Sequence, residues 1–171
     1  MQVTSTNLYI CVKTTQNKIT MKYLHLDSNF TPFGESIAYE AFTFNGGEPH
    51  IKIKEDFHQP IDNLFSDKKT SLSSQKENDY REEILITTRI RCFNDLGFLL
   101  AATDALRRMS IKKISLLLPY FPAARQDRVM VKGEALTVKI YADIINNAKY
   151  ERVFILDPHS EVTPALVHRV T

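Results

Sequence analysis

Three short apolar runs alternate with two helical patterns in the second half of the chain, and this alternation restricts the fold more than any other feature. The apolar runs cover residues 84–87, 114–118 and 153–156. Each is short and apolar, as strands covered on both faces of a parallel sheet are. Between them, apolar residues recur at helical spacing over residues 94–109 and 136–147. The order βαβαβ predicts an α/β fold, and right-handed crossovers make its sheet parallel.

A β-hairpin is predicted ahead of this unit. Residues 41–44 and 50–53 read as two strands, and they flank the turn sequence Asn45-Gly46-Gly47-Glu48. Two adjacent glycines between such runs are typical of a hairpin turn. Residues 23–26 alternate only weakly. The predicted fold class is therefore α/β, a parallel sheet flanked by helices with an N-terminal β-hairpin.

The chain is divided into a short extension and one domain. Its 171 residues, 43% of them hydrophobic, are enough for one good core. Residues 1–20 are rich in Thr, Gln, Asn and Lys, and we interpret them as an N-terminal extension, with the domain at 21–171. Charged and small polar residues dominate from about 55 to 83, which predicts a long surface loop.

Charge and cysteine content restrict the partners and the compartment. The chain has 22 basic and 20 acidic side chains, a net charge of +2 that gives no overall attraction to nucleic acid or lipid. Cys11 and Cys92 are far apart and match no metal or disulfide pattern, which fits a reducing cytoplasm. Because no apolar run approaches the length of a membrane span, we expect a cytoplasmic protein without nucleic-acid or membrane partners.

The first candidate site is the sequence Arg125-Gln126-Asp127-Arg128. A charge run of this kind is usually a solvated loop, and composition alone favours that interpretation. Its position favours function, because it follows a buried strand and open α/β sheets bind ligands at the carboxyl ends of their strands. The two guanidiniums are suited to phosphate oxygens, and Gln126 and Asp127 to a base, a sugar or metal-bound water.

The second candidate site, Asp157 and His159, follows the third strand. In an extended segment, residues two apart point to the same side. An equally good interpretation is that both side chains only cap local backbone. Since Mg²⁺ prefers oxygen ligands and keeps much of its water, Asp157 is the better metal ligand and His159 is better suited to a phosphate oxygen or metal-bound water.

Three further segments have weaker signals. Gly133 and Glu134 precede a helix whose N-terminus offers free amides to an anion, although the lysine spacing of a P-loop is missing. Residues 44–48 fit a plain hairpin corner, and Phe44 could also stack on a purine. Asn94 and Asp95 are predicted to cap the first helix, with Asn94 as its N-cap.

Together these segments resemble the ribose-phosphate pyrophosphokinase family. The likeness runs in order from about Met21 to Thr171, and its most specific part is Pro119-Tyr120-Phe121-Pro122 continuing through Arg128. The other matching segments are residues 44–48, 94–95, 104–108, 133–139 and 157–159. The resemblance implies a phosphoribosyltransferase-like fold. It also implies transfer of diphosphate from Mg²⁺-ATP to ribose 5-phosphate, which gives phosphoribosyl diphosphate and AMP for nucleotide biosynthesis.

The resemblance also implies roles for particular residues. Arg125 and Gln126 would contact ATP, and Asp127 would belong to the same nucleotide loop. His159 and Asp157 would lie beside Mg²⁺ and the phosphates. The ATP-binding residues would also include Phe44, Gly46 and Glu48 of the hairpin, which in this family reaches the adenine of a neighbouring subunit. The partners implied are therefore ATP, ribose 5-phosphate and further copies of the chain in a homo-oligomer.

The sequence also departs from the family. Family members have a second domain with paired acidic residues followed by Thr-Gly-Gly, and this chain has no such segment, so its catalytic residues are not identified. We expect the chain to be the N-terminal part of the enzyme, or a truncated copy. The alternative is a non-catalytic, nucleotide-binding regulatory subunit. A phosphoribosyltransferase is a third reading, and the missing acidic loop argues against it.

Overall fold

The computed structural model describes residues 21–55, 57 and 82–171. The predicted extension at 1–20 and most of the predicted polar loop lie outside these residues. Strands and helices are numbered β1–β6 and α1–α3 in chain order below.

In the described residues, four parallel strands form the main sheet, and three of them are the strands that the alternation of strands and helices predicts. They are β1 Met21–His25, β4 Glu83–Thr87, β5 Lys113–Tyr120 and β6 Val153–Asp157, in the order β1-β4-β5-β6. The sequence does not predict β1 as a strand of this sheet. Apolar and polar residues alternate only weakly there, and this pattern gives no reason to place the segment beside β4. All four strands end at one edge, so the loops that follow them share one side of the molecule.

In the part of the chain that the structure describes, three helices follow the strands: α1 Phe93–Arg108, α2 Thr137–Asn147 and α3 Val162–Leu166. The prediction that Asn94 is the N-cap of α1 is wrong, because the cap is Cys92 and Asn94 lies within the first turn. The prediction for Asp95 is confirmed. Its Oδ2 accepts hydrogen bonds from the backbone N of Arg91 at 2.8 Å and of Cys92 at 3.2 Å. These bonds satisfy the backbone amide of the N-cap residue Cys92 and that of Arg91 just before it.

The predicted hairpin is confirmed as an antiparallel pair of strands, β2 Tyr39–Thr43 and β3 Pro49–Ile53. Gly47 has a φ of 89°, a backbone conformation that favours glycine and lets the chain reverse. The hairpin packs on α1 through β3. A Cβ added at Gly97 of α1 would lie 2.6 Å from Cγ of Pro49, so only glycine allows this close approach.

Both long helices cover the same face of the sheet. Strand residues on that face are Ile84, Ile86, Ile114, Leu116 and Leu118, and they form one buried cluster with Leu99 and Leu106 of α1 and Val138 and Ile145 of α2. Strand residues alternate between faces, so the opposite face carries the residues in between, including Glu83 and Ser115. The apolar core therefore lies between the sheet and the two helices.

A buried polar group occupies the opposite face, at the start of β4. Oε1 of Glu83 accepts hydrogen bonds from Oγ of Ser115 at 3.0 Å and Nη2 of Arg152 at 2.7 Å. The sequence predicts a loop that ends at about residue 83, whereas Glu83 is the buried first residue of β4. Its carboxylate can be buried because it has an arginine and a hydroxyl as partners.

None of the helices in the part of the chain that the structure describes has the length and apolar character needed to cross a membrane.

Candidate functional site

The two candidate segments begin side by side at the carboxyl edge of the sheet. Tyr120, the last residue of β5, pairs with Asp157, the last residue of β6. One step further, the backbone N of Phe121 lies 3.4 Å from the carbonyl O of Asp157. The loops after β5 and β6 therefore leave the sheet together, as expected for neighbouring parallel strands.

The loop after β5 is anchored by apolar residues and presents polar ones. Phe121 and Ala124 are completely buried, and the backbone N of Gln126 donates to the carbonyl O of Ala123 at 2.8 Å. Arg125, Gln126 and Arg128 are exposed. Rigid anchoring next to exposed donors is the arrangement that a ligand-binding loop requires.

Asp127 differs from its neighbours because its side chain turns inward and is only 6% exposed. Its Oδ1 accepts a hydrogen bond from Nε of Arg128 at 3.0 Å. Arg128, and after it the hydroxyl of Ser160, hold the pKa of Asp127 below its usual value. The Ser160 hydroxyl is buried and makes no hydrogen bond to a residue that the structure describes. The lowered pKa of Asp127 thus reflects groups in both candidate segments.

The backbone after β6 is not extended, so the expected geometry of Asp157 and His159 is wrong. β6 ends at Asp157, and His159 has a φ of 67°, in the left-handed region. Oδ1 of Asp157 accepts a hydrogen bond from the backbone N of His159 at 2.9 Å, which closes a tight Asx-type turn. Asp157 thus fixes the local backbone, while both residues remain exposed at the sheet edge.

The donors available to a metal are few. In residues 21–55, 57 and 82–171, no three His, Cys, Asp or Glu side chains gather as a metal-binding group. Only one Asp157 oxygen is engaged in a hydrogen bond described here. A single exposed carboxylate fits Mg²⁺, which is commonly held through one or two carboxylates, substrate phosphates and several waters.

The start of α2 is tied to the same loop. The backbone N of Val138 lies 3.4 Å from the carbonyl O of Gln126, so one of the helix amides expected to be free already has a partner. Glu134 has a role that the sequence did not predict. Its Oε2 accepts from the backbone N of Met130 at 2.9 Å and of Val131 at 3.1 Å. Gly133, with a φ of 99°, allows this turn to close.

The hairpin residues form a separate exposed group. Phe44 is 54% exposed, and its ring centroid lies 4.9 Å from that of Phe42 and 5.7 Å from that of His50. A Cβ at Gly46 would lie 2.5 Å from Oε2 of Glu48, so the turn is compact. Within the described residues, no hydrogen bond, ion pair or ring contact joins the hairpin turn to residues 125–128. The structure does not bring these two predicted groups together.

Two arginines at this edge were not predicted. Arg89 and Arg91 follow β4, and Nε of Arg89 lies 2.6 Å from Oδ2 of the buried Asp27. Arg91 pairs with Asp95, its Nε lying 3.4 Å from Oδ2. Arg125 is a candidate because open α/β sheets bind ligands at the carboxyl ends of their strands. Arg89 and Arg91 meet the same criterion, since both follow a buried strand of the sheet.

The fold and site define an α/β protein with a basic, carboxylate-bearing strand edge. The chain belongs to the family described as the N-terminal domain of ribose phosphate pyrophosphokinase, whose model matches residues 38–148. The family and fold predicted from the sequence are therefore confirmed.

Individual relatives agree with this assignment. A ribose-phosphate pyrophosphokinase of Mycoplasma pneumoniae is 36% identical over 102 residues, covering 59% of this chain and 31% of the relative. One from Mycoplasma genitalium is 46% identical over 65 residues, covering 38% of this chain and 20% of the relative. The chain thus spans at most about a third of the length of these relatives.

One solved structure shares the fold. The phosphoribosylpyrophosphate synthetase from Mycobacterium smegmatis superimposes with a TM-score of 0.62 at 18% identity. The superposition covers 88% of this chain and 46% of that one. At this level of identity the likeness concerns the fold alone.

Proposed function

We propose that this chain is the nucleotide-binding part of a cytoplasmic ribose-phosphate pyrophosphokinase. Such an enzyme transfers diphosphate from Mg²⁺-ATP to ribose 5-phosphate, giving phosphoribosyl diphosphate and AMP. The observation that carries the proposal is the junction of the two candidate loops, which leave the carboxyl edge of the sheet side by side because Tyr120 pairs with Asp157. The junction gathers guanidinium and carboxylate groups at the edge where α/β sheets bind nucleotides.

Each side chain of this edge has a proposed role. Arg125 and Arg128 are exposed guanidiniums that donate to phosphate oxygens, and Gln126 contributes an amide. Asp157 would hold Mg²⁺ through its unengaged oxygen, with His159 beside a phosphate oxygen or metal-bound water. The metal would neutralise phosphate charge, and positive groups around a transferring phosphoryl group are the main source of catalysis in such reactions.

The hairpin supports a shared site between copies of the chain. Phe44 is exposed for stacking, and Glu48 is an exposed acceptor, yet neither meets residues 125–128 within one chain. We propose that Phe44, Gly46 and Glu48 contact the adenine bound by a neighbouring copy. Because such a site is shared between copies, the chain would act as a homo-oligomer. The groups specific for ribose 5-phosphate would be supplied outside these 171 residues.

Calorimetric titration of the chain with Mg²⁺-ATP tests the proposal. Binding is expected, and Arg125→Ala should weaken it about tenfold or more, the loss expected for a charge-assisted hydrogen bond of about 1.5–3 kcal/mol. Arg108→Ala is the control, because Arg108 is 79% exposed and, among the described residues, pairs with Asp104 of its own helix. Absence of heat at saturating ATP, or equal losses in the two variants, would contradict the proposal.

A turnover assay separates binding from catalysis. The isolated chain is expected to release little AMP from ATP and ribose 5-phosphate, since it covers only about a third of its relatives' length. Rapid AMP release would show that these residues alone form a complete active site.

A further inference from the structure

A cavity of about 230 Å³ lies beside the C-terminal end of α2, where β6 begins. Val153, the first residue of β6, lines this cavity. Asp157, the last residue of the same strand, belongs to the candidate site at the carboxyl edge. At the rise of an extended strand, the two ends of β6 are about 13 Å apart. The cavity therefore lies at the amino edge of the sheet and is distinct from the candidate nucleotide site.

The floor of the cavity is apolar. It is made by Ile145, Tyr150 and Val153, none of which is more than 2% exposed. Pockets for organic molecules are lined mainly by side chains of this kind. A floor without charge favours a ligand that has an apolar body, because an inorganic ion would lose its hydration there.

The walls of the cavity are held in place by hydrogen bonds. Nδ2 of Asn146 donates to the carbonyl O of Leu166 at 2.9 Å, and its Oδ1 accepts from the backbone N of His168 at 2.7 Å. Asn146 thus ties the end of α2 to the segment after α3. That segment is also tied to β6, since the backbone N of Val153 donates to the carbonyl O of Arg169 at 3.0 Å. The cavity is therefore already formed without a ligand.

The rim of the cavity is basic. Lys149, His168 and Arg169 line it and are exposed, and none of its described lining residues is acidic. Cations at the end of a helix often serve only to satisfy its last carbonyl groups. Here Arg107 donates to the carbonyl O of Ala148 and Nη1 of Arg169 to that of Tyr150. The side chains of Lys149 and His168 make no hydrogen bond or ion pair with a residue that the structure describes, so this role does not explain them.

Two of these basic residues have an unfavourable backbone conformation. Lys149 has a φ of 52° and Arg169 a φ of 58°, both in the left-handed region. Glycine is common just after a helix because it adopts this conformation without strain. Strained residues of this kind recur at binding sites. The chain thus has a long basic side chain on each wall of the cavity, at positions where glycine would be less strained.

We propose that this cavity binds a small organic anion, a carboxylate or a phosphate ester with a body the size of one ring. The body would lie on the apolar floor, and the charged head would meet Lys149 and Arg169 at the rim. The volume sets the size of the ligand. It exceeds the roughly 150 Å³ of a cavity that binds benzene and is below the roughly 300 Å³ at which pockets for drug-sized ligands begin. A whole nucleotide is therefore too large, and the site does not depend on the proposed function.

Titration of the 171-residue chain with benzoate and with phenyl phosphate, followed by NMR of the backbone amides, tests the proposal. We expect dissociation constants on the order of 1 mM for ligands of this size, with shifts centred on the amides of Asn146 and Arg169. Lys149→Gln should weaken binding at least about fivefold, because it removes a charged donor. Lys139→Gln is the matched control, since Lys139 is an exposed lysine of α2 that pairs with Asp143. It should leave binding unchanged.

Two further probes separate the contributions of charge and of the apolar body. Benzyl alcohol has the body without the charge, and inorganic phosphate has the charge without the body, so both should bind more weakly than the two organic anions. The tighter of benzoate and phenyl phosphate identifies the head group, and either result supports the site if Lys149→Gln weakens it. Benzyl alcohol or inorganic phosphate binding as tightly as the organic anions would overturn the proposal. So would no binding of either organic anion at high concentration, or equal losses in Lys149→Gln and Lys139→Gln.

The same variants separate this inference from the proposed function. Lys149→Gln should leave Mg²⁺-ATP affinity unchanged, and Arg125→Ala should leave benzoate affinity unchanged, because the two residues lie at opposite edges of the sheet. A chain that binds Mg²⁺-ATP but shows no Lys149-dependent binding of benzoate or phenyl phosphate overturns this inference alone. A chain that binds benzoate through Lys149 but does not bind Mg²⁺-ATP overturns the proposed function alone.

Discussion

The carboxylate of Asp127 accepts a hydrogen bond from Arg128, the residue that follows it in the loop after β5. Its side chain is 6% exposed, and its hydrogen bond from Nε of Arg128 is 3.0 Å long. An inward carboxylate is poorly placed to touch a nucleotide directly. Its contribution to the proposed site is to hold Arg128 in place.

The Asp127→Asn substitution should make the free energy of unfolding less sensitive to low pH. The pKa of Asp127 is lowered, mainly by Arg128, so its contribution is present above the unfolded-state pKa and is lost as the pH falls through the folded-state value. Urea midpoints measured at about pH 7 and about pH 3 should therefore differ less in Asp127→Asn than in the wild type. Asp143→Asn is the control, since Asp143 pairs with Lys139 on an exposed helix face. The idea fails if both variants change the acid response equally.

Gly97→Ala should destabilise the protein, although alanine is the better helix former. The propensity gain is about 1 kcal/mol, whereas overpacking typically costs about 1–3 kcal/mol. The new Cβ would lie 2.6 Å from Cγ of Pro49, a ring atom of the hairpin that cannot swing away. Thermal unfolding is the measurement, with Gly34→Ala as the control because no atom lies within 4 Å of its added Cβ. A higher melting temperature for Gly97→Ala would show that the hairpin moves freely on α1.

Tyr150→Phe should cost about 0.5–1.5 kcal/mol, the usual contribution of a buried hydrogen bond. Oη of Tyr150 lies 2.7 Å from Oγ1 of Thr103, which also donates to the carbonyl O of Leu99 at 2.8 Å. Chemical denaturation measures the loss. Tyr120→Phe is a suitable control, because the Tyr120 hydroxyl makes no hydrogen bond to a described residue.

The same tyrosine should affect stability in alkali. Burial raises the pKa of Tyr150 to about 12. Its stabilising contribution is complete below the unfolded-state pKa of about 10 and is lost as the pH rises towards the folded-state value. The wild type should lose stability over this interval more steeply than Tyr150→Phe. Identical slopes would mean that the hydroxyl ionises freely in the folded chain.

Arg152→Met should destabilise the protein by roughly 1–3 kcal/mol, because Glu83 is left buried with Ser115 as its remaining partner among the described residues. Arg152 is 37% exposed, so water partly replaces the lost donor. Adding Glu83→Gln to Arg152→Met should recover part of the loss, since it removes the unpaired charge. Denaturation of the single and double variants measures both effects, and a double variant less stable than Arg152→Met would contradict this explanation.

The sequence predicted those parts of the fold that depend on local patterns. The strands β4, β5 and β6, both long helices and the hairpin follow from periodicity and turn residues, and all were found within a few residues of their predicted limits. β1 was not placed in the sheet, because a weak alternation cannot reveal a partner strand far along the chain. Glu83 was assigned to the loop, because its partner Arg152 is also distant in sequence.

The candidate site was predicted only in part. Because ligands bind at the carboxyl ends of parallel strands, the sequence predicts that the segments with Arg125 and Asp157 lie together. The pairing of Tyr120 with Asp157 at the ends of β5 and β6 confirms this. It could not give the orientation of Asp127, which depends on how the loop folds over Phe121 and Ala124. Nor could it give the left-handed backbone of His159, since nothing in an Asp-Pro-His sequence requires it.

The pairing of β1 with β4 joins distant parts of the chain. Nδ1 of His25 lies 2.6 Å from Oγ1 of Thr87, and the two residues are 62 positions apart. Joining such distant segments costs more chain entropy than closing the shorter connections from β4 to β5 and from β5 to β6. We therefore expect β4, β5 and β6 to assemble with their helices first and β1 to add last. Amides of β1 should then be the last strand amides to gain protection from exchange during refolding.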